Sequence, residues 1–229
     1  MENISKSKQL SFVPDFTGAK SFKEIQERFI ASARSIMFSH ELRCGEERWR
    51  VTALELYLST DSDVWRDVYT HKNPEQRQSG TWYVHDGGAR APNYSGVDMT
   101  CGSPEAGIHA GLLIRELNME QRWVLQRIVR GNRPSFTRKG NIWSTEEKAI
   151  IDTSIHGTSV ESEAGVLRLV EAEEINEPLW GGPRIGLSAK TDGKSLEGYS
   201  FRLAVLRIAT WPTAKNKSAM NLLDQAIRS

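Results

Sequence analysis

Alternating positions between residues 48 and 59 predict a strand with two unlike faces. Leu54, Leu56 and Leu58 share one face, because successive side chains of a strand point to opposite sides. The other face carries Glu55 and Tyr57. A carboxylate in a buried strand is costly unless it is paired or has chemistry to perform. Glu55 is therefore the first candidate for a functional residue.

A helical pattern precedes this strand. Ser21 and Glu24 have the spacing of a capping box, which marks a helix N-terminus. Apolar residues follow at the helical period: Phe22, Ile25, Phe29, Ala33 and Ile36. We expect this helix to end before His40 and to lead into a hairpin of residues 40–44 and 48–58, with its turn at 45–47.

The rest of the chain favours more strands than helices. Strands are predicted at 80–85, 94–101, 110–117, 166–172, 184–189 and 199–210, and helices at 119–130, after Ser144 and from Ser218 to residue 227. Residues 1–20 are polar and are predicted to form a flexible arm, followed by a single domain over 21–229. This order is typical of an α+β domain with a curved, mostly antiparallel β-sheet flanked by helices.

Composition narrows the class of protein. The chain has 229 residues, with 38% hydrophobic and 26% charged, and it contains no apolar run that could cross a bilayer. Its N-terminus lacks the apolar core of a signal peptide. Two cysteines, Cys44 and Cys101, favour a reducing compartment and the filling of small apolar spaces. We expect a monomer without membrane contact, cytoplasmic in a bacterium or nuclear in a eukaryote, and not secreted.

Charge is unevenly distributed although the net charge is only +1. Apart from one acidic residue, Glu120, the charged residues of one short region are all basic. They are Arg122, Arg127, Arg130, Arg133, Arg138 and Lys139. Two interpretations remain for this cluster, a solvated helix face with its loop or a phosphate-binding patch.

Standard catalytic motifs are missing from the sequence. It has no glycine-rich phosphate loop and no serine nucleophile elbow. His71, His85 and His109 are close in sequence, but no cysteine or carboxylate pattern accompanies them, so we predict neither a metal nor another cofactor.

Several segments together resemble the alkyladenine (3-methyladenine) DNA glycosylase family. In chain order they are Ala33-Arg34 in a helix, Glu55-Leu-Tyr57-Leu, His71, Gly80-Thr-Trp-Tyr83-Val, Tyr94 to Thr100, Gly111-Leu-Leu-Ile-Arg115, Gly182-Pro-Arg184-Ile-Gly-Leu and Phe201-Arg-Leu. The resemblance spans residues 21–211, and it implies the family's fold and base excision repair of a damaged purine in duplex DNA.

Functional roles follow from that resemblance residue by residue. Glu55 matches the general base that activates a water for attack on the sugar C1′, and Arg115 is the natural cation to offset its charge. Tyr57 matches the aromatic residue that stacks on the flipped base, and His71 matches a histidine that holds the nucleotide. No lysine is required, so the implied enzyme is a monofunctional glycosylase.

The sequence departs from the family at three places. His85 stands where the family has a second stacking tyrosine, and Asp98 stands where it has an asparagine that helps to exclude guanine. Both changes should alter base selectivity. The segment that inserts an aromatic wedge into DNA is replaced by residues 86–93, in which Arg90 or Pro92 is the nearest candidate.

Other readings of the same residues stay open. The protein could hydrolyse a nucleoside or a single-stranded substrate, or it could be a non-catalytic nucleic-acid-binding module like the barrel-shaped C-terminal domain of methionyl-tRNA formyltransferase. Glu55 could be a structural partner of Arg115 or Arg50. Tyr57 could be a core aromatic, and Asp98 could cap a turn beside the neighbouring glycine.

Overall fold

A computed structural model describes residues 10–62, 65–84, 96–117, 155–184, 206–212 and 220–223. Its one α-helix in these ranges, α1 (Phe22–Ser39), begins as predicted, with the Ser21 hydroxyl accepting a hydrogen bond of 3.2 Å from the Glu24 amide. Ile25, Phe29 and Ala33 lie on its buried face. The capping box and the helical period therefore located this helix correctly. None of the helical segments in these ranges has the length and apolar character needed to cross a bilayer.

Residues 10–20 do not form the flexible arm that the sequence predicts. Phe12, Val13 and Phe16 are buried, and the Ser32 hydroxyl of α1 donates a hydrogen bond to the Phe12 carbonyl. Three apolar side chains in a polar segment are enough to attach it to the core, because each removes hydrophobic surface from water.

Ten strands follow α1 in the described residues. They are β1 (His40–Cys44), β2 (Glu47–Trp49), β3 (Val51–Thr60), β4 (Ser79–Val84), β5 (Val97–Cys101), β6 (Ile108–Leu117), β7 (Leu167–Glu171), β8 (Trp180–Gly182), β9 (Arg207–Ala209) and β10 (Asn221–Leu222). They form a seven-stranded sheet in the order β10-β8-β9-β3-β6-β5-β4 and a three-stranded sheet in the order β2-β1-β7. All described pairings are antiparallel, which confirms the α+β class with antiparallel sheets.

The hydrophobic core lies on one face of β3. Leu54, Leu56 and Leu58 belong to the same buried cluster as Ile25 and Phe29 of α1. Alternation along the strand then places Glu55 and Tyr57 on the opposite face. The fold thus separates an apolar side of the sheet, covered by α1, from a side that carries polar side chains.

Three secondary-structure elements differ from the sequence prediction. The expected strand over 48–58 is two strands that part at Arg50. Trp180–Gly182 forms β8, just before the strand expected at 184–189, and Arg184 itself lies outside any strand. The helix expected from Ser218 is wrong at Asn221–Leu222, which pairs with β8 instead. Pairing supplied by distant strands overrides the local helical pattern there.

Several predictions fall outside the described residues. These are the helices at 119–130 and after Ser144, the strand at 185–189, and most of the strand at 199–210.

Candidate functional site

A row of side chains crosses the seven-stranded sheet on the face opposite α1. Its members are paired directly across neighbouring strands in the order Arg207, Glu55, Leu113, Asp98 and Tyr83. Residues that face each other in antiparallel strands project to the same side. The sheet register therefore brings Glu55, Asp98 and Tyr83 onto one surface, with Glu55 and Asp98 two strands apart, or about 10 Å.

Glu55 is completely buried and is surrounded by hydrogen-bond donors. Arg207 Nη1 donates to Glu55 Oε1 over 3.0 Å, and the Tyr57 hydroxyl donates to Oε2 over 3.2 Å. Arg115 Nε lies 3.5 Å from the same Oε2. The predicted contact of Arg115 with Glu55 is present, whereas the contact of Arg207 was not predicted. Arg50, the other predicted partner, donates instead to Glu41 over 3.1 Å. The negative charge of Glu55 is thus compensated by two guanidinium groups.

An irregularity in β6 explains how two adjacent residues reach this network. Ala53 pairs with Glu116 while Leu54 pairs with Ile114, so the register shifts and Arg115 lies between the two ladder pairs. Such a bulge turns consecutive side chains toward the same side of a sheet. Glu116 Oε1 accepts from Arg207 Nη2 over 2.9 Å, while Arg115 approaches Glu55. Two carboxylates and two guanidinium groups therefore balance each other in charge.

Tyr57 is held on one ring face by a second buried ion pair. The guanidinium carbon of Arg184 lies 4.2 Å from the centroid of the Tyr57 ring. Asp67 fixes that guanidinium with two hydrogen bonds of 2.6 and 3.0 Å. Burial acts to lower the pKa of Arg184, but the hydrogen bonds and charge of Asp67 outweigh it, so the pKa is raised overall. Sequence reasoning assigned no role to Asp67 or Arg184.

Tyr83 and Asp98 form the other end of the row. The Tyr83 hydroxyl accepts a hydrogen bond from the Asn73 amide and lies 3.2 Å from Nδ1 of His71, which is exposed. Burial raises the pKa of Tyr83, and the nearby Asp98 carboxylate raises it further, against a lowering by Asn73. Asp98 lies within β5 and is fully buried, so it does not cap a turn.

A glycine makes room for Asp98 between these elements. Gly111 pairs with Tyr57 on one side and with Thr100 on the other. A Cβ at Gly111 would come within 2.7 Å of Asp98 Oδ2. Only glycine fits at this position, because the Asp98 carboxylate extends over the Gly111 backbone. No side chain therefore stands between Tyr57 and Asp98 at position 111.

His109 projects to the same sheet face, opposite Ser59 of β3, but its ring contacts other residues. It lies 3.1 Å from both Asp61 and Arg77, and its Nδ1 lies 3.2 Å from the Asn73 carbonyl. Burial acts to raise the pKa of Asp61, but His109 and Arg77 lower it overall. Within the described ranges, no three His, Cys, Asp or Glu side chains come close enough together to hold a metal ion.

The remaining predicted site residues lie outside the described ranges. They are His85, Arg90, Pro92, Arg122, Arg127, Arg130, Arg133, Arg138 and Lys139. A role of these residues in binding nucleic acid stays a prediction.

The reactivity of the two buried cysteines tests their placement in the hydrophobic core. Burial raises the pKa of the Cys101 thiol well above its usual value, and the Asp98 carboxylate raises it further. Since only the thiolate reacts, Cys101 in the native protein should resist a thiol reagent at neutral pH. Cys44, also buried and with a raised pKa, should behave alike. Mass spectrometry should show both thiols labelled in denaturant, and rapid labelling of the native protein would contradict this placement.

Comparison with known proteins adds a distant similarity. No family model matches the chain. The chain is 24% identical over 189 residues to an uncharacterized protein of Acanthamoeba polyphaga mimivirus, an alignment that covers 75% of this chain and 84% of the viral protein. The name of the viral protein gives no activity, so the candidate site is interpreted from its own geometry.

Proposed function

We propose that this sheet face is the active site of a monofunctional DNA glycosylase that excises a damaged or modified purine. The observation that supports the proposal most directly is the contact of Glu55 with Tyr57 and Arg115. The resemblance assigns the general base, the stacking aromatic and the compensating cation to these three residues. Asp98 and Tyr83 extend the same face of the sheet.

Glu55 supplies the chemistry in this proposal. Its carboxylate orients a water molecule and takes a proton from it as the water oxygen bonds to C1′. The bond between C1′ and the base nitrogen breaks, and the base leaves with the electron pair. A neutral base takes up a proton from solvent as it leaves, and Glu55 returns the proton of the water to solvent. The negative charge of Glu55 also stabilises the positive charge that develops on the sugar.

In this proposal the substrate reaches Glu55 past its two partly exposed donors. The side chain of Arg115 is 28% exposed and Tyr57 is partly buried, whereas Arg207 is inaccessible. Arg207 therefore fixes one carboxylate oxygen, Oε1, from inside the sheet. Water and the sugar approach from the side of Tyr57 and Arg115, near the second oxygen.

A second candidate is a nucleic-acid-binding module without catalysis. Its lack of catalysis is favoured by the complete burial of Glu55 in a charge-balanced network, since buried ion pairs also occur as purely structural features. In that case the network would fix the sheet register and would take no part in a reaction.

Single-turnover base release separates these candidates. We expect the wild-type protein to release base from a duplex that contains hypoxanthine, ethenoadenine or 3-methyladenine, and not from an undamaged duplex of the same sequence. Release only from single strands or nucleosides would identify an N-glycoside hydrolase with a different substrate. Salt-dependent binding of duplex DNA without any release would support the binding module and contradict the glycosylase.

A further inference from the structure

The ion pair beneath Tyr57 is built into the fold. The side chain of Arg184 is 1% exposed and that of Asp67 is 9% exposed. Arg184 Nη1 also donates to the Leu56 carbonyl of β3 over 3.2 Å, next to Tyr57 in the chain. Tyr69 adds a second ring 5.6 Å from the guanidinium. A cation with these restraints keeps its position against the Tyr57 ring.

A fixed cation on one ring face changes what the ring can bind. The face of an aromatic ring attracts positive charge through its quadrupole, and here Arg184 already uses that attraction at 4.2 Å. A second cation on the other face would meet a weakened quadrupole and the repulsion of the guanidinium. A neutral planar base meets no such repulsion and still gains from stacking.

We propose that Arg184, held by Asp67, is a positioning residue for Tyr57 that selects neutral purines over cationic N-alkylpurines. The inference rests on the proposed function, because it takes Tyr57 as the surface on which the base stacks. Hypoxanthine and ethenoadenine are neutral lesions of the favoured class. 3-Methyladenine, which is cationic while it is attached to the sugar, belongs to the disfavoured class.

The other charges near Tyr57 do not reverse this preference. Glu55 is compensated by Arg207 and Arg115, so it offers little net attraction to a cationic base. Asp98 lies two strands away from Glu55 and can accept N–H groups from neutral and cationic purines alike. At long range the negative charge of Asp67 offsets the positive charge of Arg184. The effect of Arg184 on a bound base is therefore confined to the Tyr57 ring, which it contacts.

Binding of nucleosides tests the inference without requiring catalysis. Calorimetry on the wild-type protein should show that inosine, which is neutral, binds about tenfold more tightly than 1-methyladenosine, a cation at neutral pH. The double variant Arg184→Gln/Asp67→Asn replaces the ion pair with an uncharged, hydrogen-bonding pair and leaves no buried charge behind. Its preference should fall to about twofold or less by the same reasoning.

Excision rates provide the second readout. The wild-type ratio of hypoxanthine release to 3-methyladenine release should fall by a similar factor in the double variant, and a ratio is insensitive to the fraction of active protein. Should the double variant fail to fold, Arg184→Met/Asp67→Leu removes the pair with apolar side chains, and the wild-type preference remains a test by itself.

The outcomes distinguish this inference from the proposed function. If the wild-type protein prefers the neutral nucleoside and the double variant loses that preference, the inference is supported even if no base is ever excised. Tighter binding of the cation by the wild-type protein overturns it, and so does a preference that the double variant retains. Lack of binding of either nucleoside, together with lack of excision, removes the stacking role of Tyr57 and overturns it as well.

Discussion

Replacing Arg207 by methionine is expected to lower the free energy of unfolding by about 3–5 kcal/mol. Arg207 is 1% exposed, and its two terminal nitrogens donate to Glu55 over 3.0 Å and to Glu116 over 2.9 Å. Methionine fills a similar volume but donates no hydrogen bond. The variant therefore leaves two buried carboxylates without the guanidinium group they share, which costs more than the loss of packing. Urea unfolding followed by circular dichroism measures the change.

Two further variants separate charge from packing. Arg77→Met removes an arginine whose ion pair with Asp61 is 36% and 50% exposed, so it should cost at most about 1 kcal/mol. Adding Glu116→Gln to Arg207→Met removes one of the two carboxylates that lose their shared arginine, and should restore part of the lost stability. If Arg207→Met cost no more than Arg77→Met, the ion network would not be a structural centre of the sheet.

Local patterns predicted the elements whose stabilising contacts are close in sequence. The helix over Phe22–Ser39 follows from the Ser21 cap and a regular apolar stripe, and His40–Cys44 follows from alternation after the helix. The class of the fold followed from the order of these elements. Strand ends were less accurate, because a strand ends where its neighbour stops pairing, and the neighbour can lie far along the chain.

Sequence reasoning found the centre of the candidate site but only part of its surroundings. Glu55 was identified from a single carboxylate among leucines, and Arg115 from the resemblance. Arg207 lies 152 residues from Glu55, and Arg184 lies 117 residues from Asp67, so nothing local indicates either pairing. One signal was present for Arg207, which stands between Leu206 and Ile208 in a predicted strand, as Glu55 does among leucines.

The shift of register in β6 could not be predicted at all. It depends on the pairing of Ala53 and Leu54 with Glu116 and Ile114, and strict alternation would have placed Arg115 and Glu116 on opposite faces. The resulting network joins three strands, β3, β6 and β9. The same network that stabilises the sheet also orients the proposed general base, so the effects of its residues on stability and on reaction must be measured separately.

Glu55→Gln is expected to reduce the single-turnover rate of base release by about 10²–10⁴-fold. Glutamine has nearly the same shape and can still accept from Arg207, but its amide cannot take a proton from water. Binding of a lesion-containing duplex should change far less, because Tyr57 and Arg184 remain in place. The comparison of release with binding isolates a loss that occurs in the reaction step.

Glu116→Gln is the matched control for this experiment. It makes the same chemical change in the same network, since Glu116 and Glu55 share Arg207, but Glu116 has no hydrogen bond with Tyr57 among the described contacts. Both variants should lose stability, whereas only Glu55→Gln should lose base release by orders of magnitude. Equal losses of release in the two variants would show that the network acts through structure alone. Full release by Glu55→Gln would remove Glu55 as the general base and, with it, the mechanism proposed for this sheet face.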